Sequence, residues 1–188
     1  AGGFAALAVA LAAASTAGGM GNAFVLDDNT KIRDNPDIRS LAGLAHTLVF
    51  PYTEHRGAGL AQLRRNDPSR PLTYLTYALN YALTGPEPAG FRVVNVGLHV
   101  LCCLALRRLL RRLAAMANVR DKDPTLPVAD GASLLFLSST VNICTAMYVY
   151  GRSELLCTLF SLLALTPALV PKGSPPPSLG GLFATCAW

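Results

Sequence analysis

Residues 1 to 26 carry no charged side chain and consist almost entirely of Ala, Leu, Val, Gly and other small residues. A helix of about 20 apolar residues crosses a bilayer core, so this run predicts a first transmembrane helix over 1–22. The stretch Ala-Ala-Ala-Ser-Thr-Ala-Gly-Gly has the small residues of a signal-peptide cleavage region, but no basic n-region is visible. Polar residues then dominate from 23 to 92, broken by two patches with helical spacing. One runs from Ile38 to Phe50 and ends at Pro51. The other is PLTYLTYALNYAL, from Pro71 to Leu83. Pro71 suits a first helical turn, and Gly85-Pro86 closes the segment. Its Thr and Asn positions make it too polar and too short for a span. It reads as an interfacial helix lying along the membrane.

Three further apolar segments follow. Residues 93–113 predict a second span ending in Arg107, Arg108, Arg111 and Arg112, whose long side chains are expected to snorkel to headgroups. Residues 131–150 predict a third span, with Asp130 just ahead of it. Residues 155–170 predict a fourth, interrupted late by Pro167. The connections are a loop over 114–130, a short loop over 151–154 and a Pro-rich turn over 171–178. A further apolar segment occupies 179–188. The chain opens without Met and stops at Trp188 inside that run. A longer protein is therefore expected, and residues 1–188 alone are expected to be inactive.

Composition supports the membrane reading. The 188 residues are 52% hydrophobic and 14% charged, where a soluble domain carries about 25% charged residues. Charge also sets orientation. Residues 107–123 hold six basic and two acidic residues, and 27–92 hold eight basic and seven acidic. The positive-inside rule places 107–123 in the cytosol and 23–92 on the opposite, lumenal side. The net charge of +5 is then a topology signal. The basic cluster abuts a span without interleaved aromatics, which argues against nucleic-acid binding. All five cysteines, Cys102, Cys103, Cys144, Cys157 and Cys186, lie in apolar stretches with no CxxC pair. They read as structural thiols rather than a disulfide framework or zinc site. No GxGxxG or GxxxxGK phosphate loop is present.

On this topology Asp27 and Asp28 stand a few residues beyond the first span on the lumenal side. Neighbouring carboxylates at an apolar boundary have raised pKa values, and such a group can act as a general base. They can equally stop the helix and solvate the loop. Spacing leaves both readings open.

Three blocks of sequence bear on the choice: FVLDDNTKIRDNPDI, SRPLTYLTYALNYALTGPEPAGFRVVNVGLH and YGRSELLCTLFSLLA. In this order and spacing, over nearly all of residues 24 to 165, they resemble the transmembrane and tetratricopeptide-repeat O-mannosyltransferases. These are polytopic enzymes of the C-type glycosyltransferase class. The resemblance implies an all-α polytopic membrane protein of the endoplasmic reticulum, matching that class's N-terminal half, with a long first lumenal loop. It implies transfer of mannose from dolichyl phosphate mannose to Ser or Thr hydroxyls of an acceptor protein. The lipid-linked donor is a substrate, and no cofactor or metal is expected. Asp27 and Asp28 match the family's acid pair, one of which takes the acceptor's proton. Arg70 to Thr73 match its Arg-Pro-Leu-Thr block, Asn95 and His99 its second-span polar pair, and Gly151, Arg152 and Glu154 its Gly-Arg-x-Glu loop.

Physical readings accompany these matches. A guanidinium at Arg70 or Arg152 can pair bidentately with a lipid phosphate, or anchor at headgroups or in a salt bridge. Glu154 can pair with Arg152 or with a neighbouring loop. Asn95 and His99, four apart, share a helix face and are expected to form a small buried polar network. One departure stands out. Where the family usually has a His-Pro-x-His-Thr-Glu-like stretch, residues 139 to 144 read Ser-Thr-Val-Asn-Ile-Cys. No 34-residue repeat period occurs, so tetratricopeptide repeats would belong to a missing C-terminal part. The departure sets up the alternative of a catalytically inactive relative acting as a membrane scaffold or partner-binding subunit. A transporter fragment fits less well, because apart from His99 the ionisable residues sit in loops.

Overall fold

A computed structural model of the protein describes residues 2–40, 69–116 and 125–168. Every regular element among them is helical. Helix α1 (Gly2–Thr16) continues into a 3-10 turn at Ala17–Gly19. A π-helical turn at Asn29–Arg33 and a 3-10 turn at Asp37–Arg39 shape the loop that follows. Then come α2 (Pro71–Thr84), α3 (Pro88–Met116), α4 (Thr125–Ser138), α5 (Thr140–Met147), a 3-10 turn at Val149–Gly151, and α6 (Arg152–Ala168). Among the described residues two helical stretches, Gly2–Gly19 and Pro88–Met116, are long and apolar enough to cross a membrane. The chain is an all-α membrane protein.

Helix α3 is the mast of the fold, packed against α6, α4, α1, α5 and α2. Two apolar cores form along it. Near its N-terminal end, Phe91 packs with Ile32, Ile38, Tyr74, Tyr77, Ala78 and Val149. Farther along, Val100 and Cys103 pack with Ala8, Ala12 and Leu137. The Cys102 and Cys103 thiols donate to the Leu155 and Ser133 carbonyls, at 3.4 and 3.2 Å, tying α3 to α6 and α4.

Helix α2 begins at Pro71, whose missing N–H costs nothing in a first turn, and ends at Gly85 with φ 69. The Gly85 N–H closes on the Tyr81 carbonyl at 2.8 Å. Thr73, Tyr74, Tyr77, Ala78 and Asn80 face the protein, while Leu72, Leu75, Leu79 and Leu83 form an exposed apolar row on the other side. The polar residues of this helix therefore point inward and its leucines outward.

Where one helix is expected over 131–150, the chain forms two, α4 and α5, bent by 50° at a break on Ser139. The sequence there is Ser-Ser-Thr, whose hydroxyls compete for backbone carbonyls. The Ser138 Oγ donates back to the Leu134 carbonyl at 3.0 Å, and the Asn142 amide donates across the break to the Phe136 carbonyl at 2.8 Å. Of the patch from Ile38 to Phe50, the described part is the short turn at Asp37–Arg39. The remainder, most of the loop after α3, Cys186, the Pro-rich turn and the segment from 179 lie outside the described residues.

The arginines at the end of α3 depart from the expected snorkelling. Arg107 and Arg111 both make two-point contacts with Asp130, at 2.9 to 3.2 Å. Arg107 also lies over the Phe4 ring at 4.0 Å, and Arg112 donates to the Thr166 carbonyl at 2.8 Å. A carboxylate one turn into α4 captures the cations that headgroups would otherwise hold.

Gly151 is fixed by space. A Cβ there would sit 2.5 Å from the Thr145 carbonyl oxygen, a backbone atom that cannot swing away. Gly151→Ala is expected to cost about 1–3 kcal/mol through overpacking. A lowered melting temperature of the detergent-purified protein would check it.

Candidate functional site

Leu26 has φ 49, left-handed backbone for a residue with a side chain. Such conformations are costly and cluster at functional sites. Immediately after it, Asp27 is exposed and Asp28 is wholly buried. The two acids therefore have different environments.

Asp28 is an anchor. Its carboxylate accepts the Tyr150 N–H at 2.8 Å and the Val149 N–H at 3.3 Å. Burial, the largest influence, pushes its pKa above the ordinary 3.8, against the lowering effect of those N–H bonds and the Arg92 charge. Asp27 has one side-chain partner, the Tyr148 hydroxyl, which donates to Oδ2 at 3.3 Å.

The segment from Met147 to Gly151 is held from both sides. On the other side from Asp28, Asn95 of α3 donates to the Tyr148 and Val149 carbonyls at 3.1 and 3.2 Å. The Tyr77 hydroxyl of α2 donates to the Val149 carbonyl at 3.0 Å. Arg92 donates to the Met147 carbonyl and to the Met20, Asn22 and Ala23 carbonyls. It thereby ties the turn after α1 to the end of α5.

Beneath this strap lies Arg152, with no exposed surface. It donates to Asn95 Oδ1 (2.7 Å), Asn80 Oδ1 (2.7 Å), the Phe91 carbonyl (3.0 Å) and the Thr76 carbonyl (3.1 Å), with Thr76 Oγ1 at 3.5 Å. The Tyr77 and Phe91 rings cover it at 4.7 and 5.7 Å. Where the sequence reading expects a phosphate-pairing role, the structure commits its donors to the protein and leaves it no exposed surface.

Arg70 differs. Its side chain is 37% exposed, 3.9 Å from Glu154. It donates to Ser153 Oγ at 2.8 Å and lies over the Tyr150 ring at 5.8 Å. Glu154 therefore pairs with Arg70 rather than Arg152. Asn95 and His99 are both buried but share no hydrogen bond. The His99 Nε2 bonds the Leu137 carbonyl at 2.9 Å, and Nδ1 has no hydrogen-bond partner among the described residues. The expected joint network is instead two separate contacts, because Asn95 turns toward the strap and His99 toward α4.

A cavity of about 570 Å³ opens beside these groups. Arg70, Tyr150, Ser153 and Glu154 line it on one side, and Thr140, Val141, Cys144 and Tyr148 from the α5 side. The departing stretch from 139 to 144 thus contributes directly to the wall, without an imidazole or an acid. No metal-binding group of His, Cys, Asp and Glu is present among the described residues. Tyr148 of the strap, and Arg92, Tyr77 and Asn80, which hold the strap or Arg152, escape reading from sequence. Only Arg92 gives a signal, as a cation at the start of a span.

Three relatives match most of the chain. The Drosophila melanogaster protein O-mannosyl-transferase Tmtc3 is 33% identical over 180 residues, 86% of this chain and 19% of the relative. The Mus musculus protein O-mannosyl-transferase TMTC4 is 33% identical over 75% of this chain and 19% of its own length. The Homo sapiens protein O-mannosyl-transferase TMTC1 is 32% identical over 75% and 15%. The chain thus spans about a fifth or less of each. No family model matches it, and no solved structure does.

Arg152→Met is expected to leave the Asn95 and Asn80 side-chain oxygens without this donor, at about 1–3 kcal/mol for each that stays dry. Loss of monodisperse protein on size-exclusion chromatography would check it. Asp28 predicts a pH effect. With its native pKa raised, its contribution to stability is full below 3.8 and is lost as pH rises through the native value. The melting temperature of the wild type, less that of Asp28→Asn, is therefore expected to fall as pH rises through this window.

Proposed function

The chain belongs to the transmembrane and tetratricopeptide-repeat O-mannosyltransferase family, and on that premise we propose that it supplies the acceptor-activating and phosphate-holding part of a membrane glycosyltransferase. The full-length enzyme moves mannose from dolichyl phosphate mannose to Ser and Thr hydroxyls of acceptor proteins. It is a multi-pass protein of the endoplasmic reticulum membrane with residues 23–92 lumenal, and belongs to the C-type class. One observation carries the reading. A cavity has a half-exposed arginine, Arg70, on one wall, and on the other Tyr148, bonded to the exposed acid Asp27.

Asp27 is the base. It takes the proton of the acceptor hydroxyl as that oxygen attacks the anomeric carbon of mannose. The bond from this carbon to the phosphate oxygen breaks, its electrons leave on dolichyl phosphate, and the sugar inverts. Arg70 meets the phosphate with a planar cation suited to two-point contact. Asp28 and Asn95 hold the strap that presents these groups, Arg152 holds Asn95, Glu154 pairs with Arg70, and His99 ties α3 to α4.

A second reading rests on the cavity wall. Cys144 lines it where the family motif has its acid, and Ser139 and Asn142 of the same stretch stand where the motif has its histidines, which supports an inactive relative serving as a membrane scaffold or partner-binding subunit. Microsomes containing the full-length protein and radiolabelled dolichyl phosphate mannose separate the two. On the enzyme reading, Asp27→Asn loses about 10²–10⁴-fold in transfer with unchanged expression, and Arg70→Ala raises the donor KM. No transfer by the wild type, where an active relative transfers in the same microsomes, gives the scaffold reading.

A further inference from the structure

We propose that Tyr148 is the positioning residue for the Asp27 base, holding one carboxylate oxygen so that the other is presented to the acceptor hydroxyl. This rests on the reading of Asp27 as the base.

The geometry is specific. The Tyr148 hydroxyl reaches Asp27 Oδ2 at 3.3 Å from 121 residues along the chain. Among the described residues no other hydrogen bond reaches the Asp27 carboxylate, which leaves Oδ1 open. An exposed aspartate alone samples several rotamers. A donor fixed in space narrows them, and misplacement of a reacting group is costly to rate.

Tyr148 is itself fixed. Its N–H bonds the Cys144 carbonyl at 2.9 Å, and its carbonyl accepts from Asn95 at 3.1 Å. The next N–H, of Val149, is held by Asp28 at 3.3 Å. Its ring meets that of Tyr150 edge-on, with centroids 6.3 Å apart. The hydroxyl is thus aimed by backbone that α3 and the second acid hold. Tyr148 also lines the cavity, so the bond lies where an acceptor approaches. A phenol keeps its proton at neutral pH, so Tyr148 donates a hydrogen bond and the acceptor's proton goes to Asp27.

The charged and titratable groups around this pair are Asp28 beside it, Lys31 and Arg70 over the Tyr150 ring at 5.9 and 5.8 Å, and Arg92 under the preceding turn. All remain in Tyr148→Phe, which removes the hydroxyl and keeps the ring. The test uses the full-length protein in microsomes, with radiolabelled dolichyl phosphate mannose and endogenous acceptors. Rate at saturating donor, donor KM and melting temperature are measured for wild type, Tyr148→Phe, Asp27→Asn and the control Tyr81→Phe. Tyr148→Phe is expected to lower the saturated rate about tenfold, the scale of one hydrogen bond to a charged group. Donor KM and melting temperature stay constant. Tyr81→Phe follows the wild type.

A Tyr148→Phe enzyme with the wild-type rate, beside an inactive Asp27→Asn, overturns the positioning role and leaves the base assignment standing. A lowered rate with a raised donor KM or a lowered melting temperature also overturns it, as a purely structural effect. Full activity in Asp27→Asn, or no transfer by the wild type, overturns the base assignment and the positioning role together.

Discussion

A guanidinium with no exposed surface is the constraint on which the site depends. A buried charge is tolerable only when its donors are met, and Arg152 meets its own with groups from α2 and α3. Those helices and the start of α6 must therefore converge on one point. The aromatic rings of Tyr77 and Phe91 close over it, so the same residues satisfy its charge and build the adjoining core. Because Arg152 binds Asn95 Oδ1, the Asn95 amide is left facing the strap, where it donates to two carbonyls. One buried cation thus orients the side chain that orients the backbone.

The strap then divides the labour of the two acids. Asp28 sits inside and accepts the N–H groups of Val149 and Tyr150, while Asp27 sits outside. The left-handed backbone at Leu26 just before them is the turn that allows this split. A protein that needs an acid at its surface and a rigid support behind it obtains both from adjacent residues pointing opposite ways. The raised pKa expected for a crowded acid pair falls on the buried member, where burial is its largest cause.

The cavity joins elements that are far apart in sequence. Arg70 arrives from the residue before α2, Tyr148 from the end of α5, and Ser153 and Glu154 from the start of α6. The break at Ser139 matters here, since it lets α5 turn away from α4 and bring Thr140, Val141 and Cys144 to the rim. Of the residues that replace the motif's histidines and acid, Cys144 is among those lining the cavity, while Ser139 and Asn142 are not.

The sequence by itself determined the all-helical membrane class, through charge-free runs that only a helix can carry across a bilayer. It also determined the family, through three spaced blocks, and the acids and arginines worth attention. Boundaries set by local chemistry were legible too, as with Pro71 and Gly85 around α2. What each polar residue does was decided by tertiary structure. Arg70 and Arg152 look alike along the chain. Burial and a full set of acceptors make one a structural hub, and the other lines a cavity. Asn95 and His99 share a helix face, yet bond to different neighbours, because the carbonyls they meet come from segments more than thirty residues away. Asp130 takes Arg107 and Arg111 from the headgroups for the same reason. Local spacing fixes the face of a helix on which a side chain stands. Which partner satisfies it depends on the packing of distant segments, and that is a property of the folded chain alone.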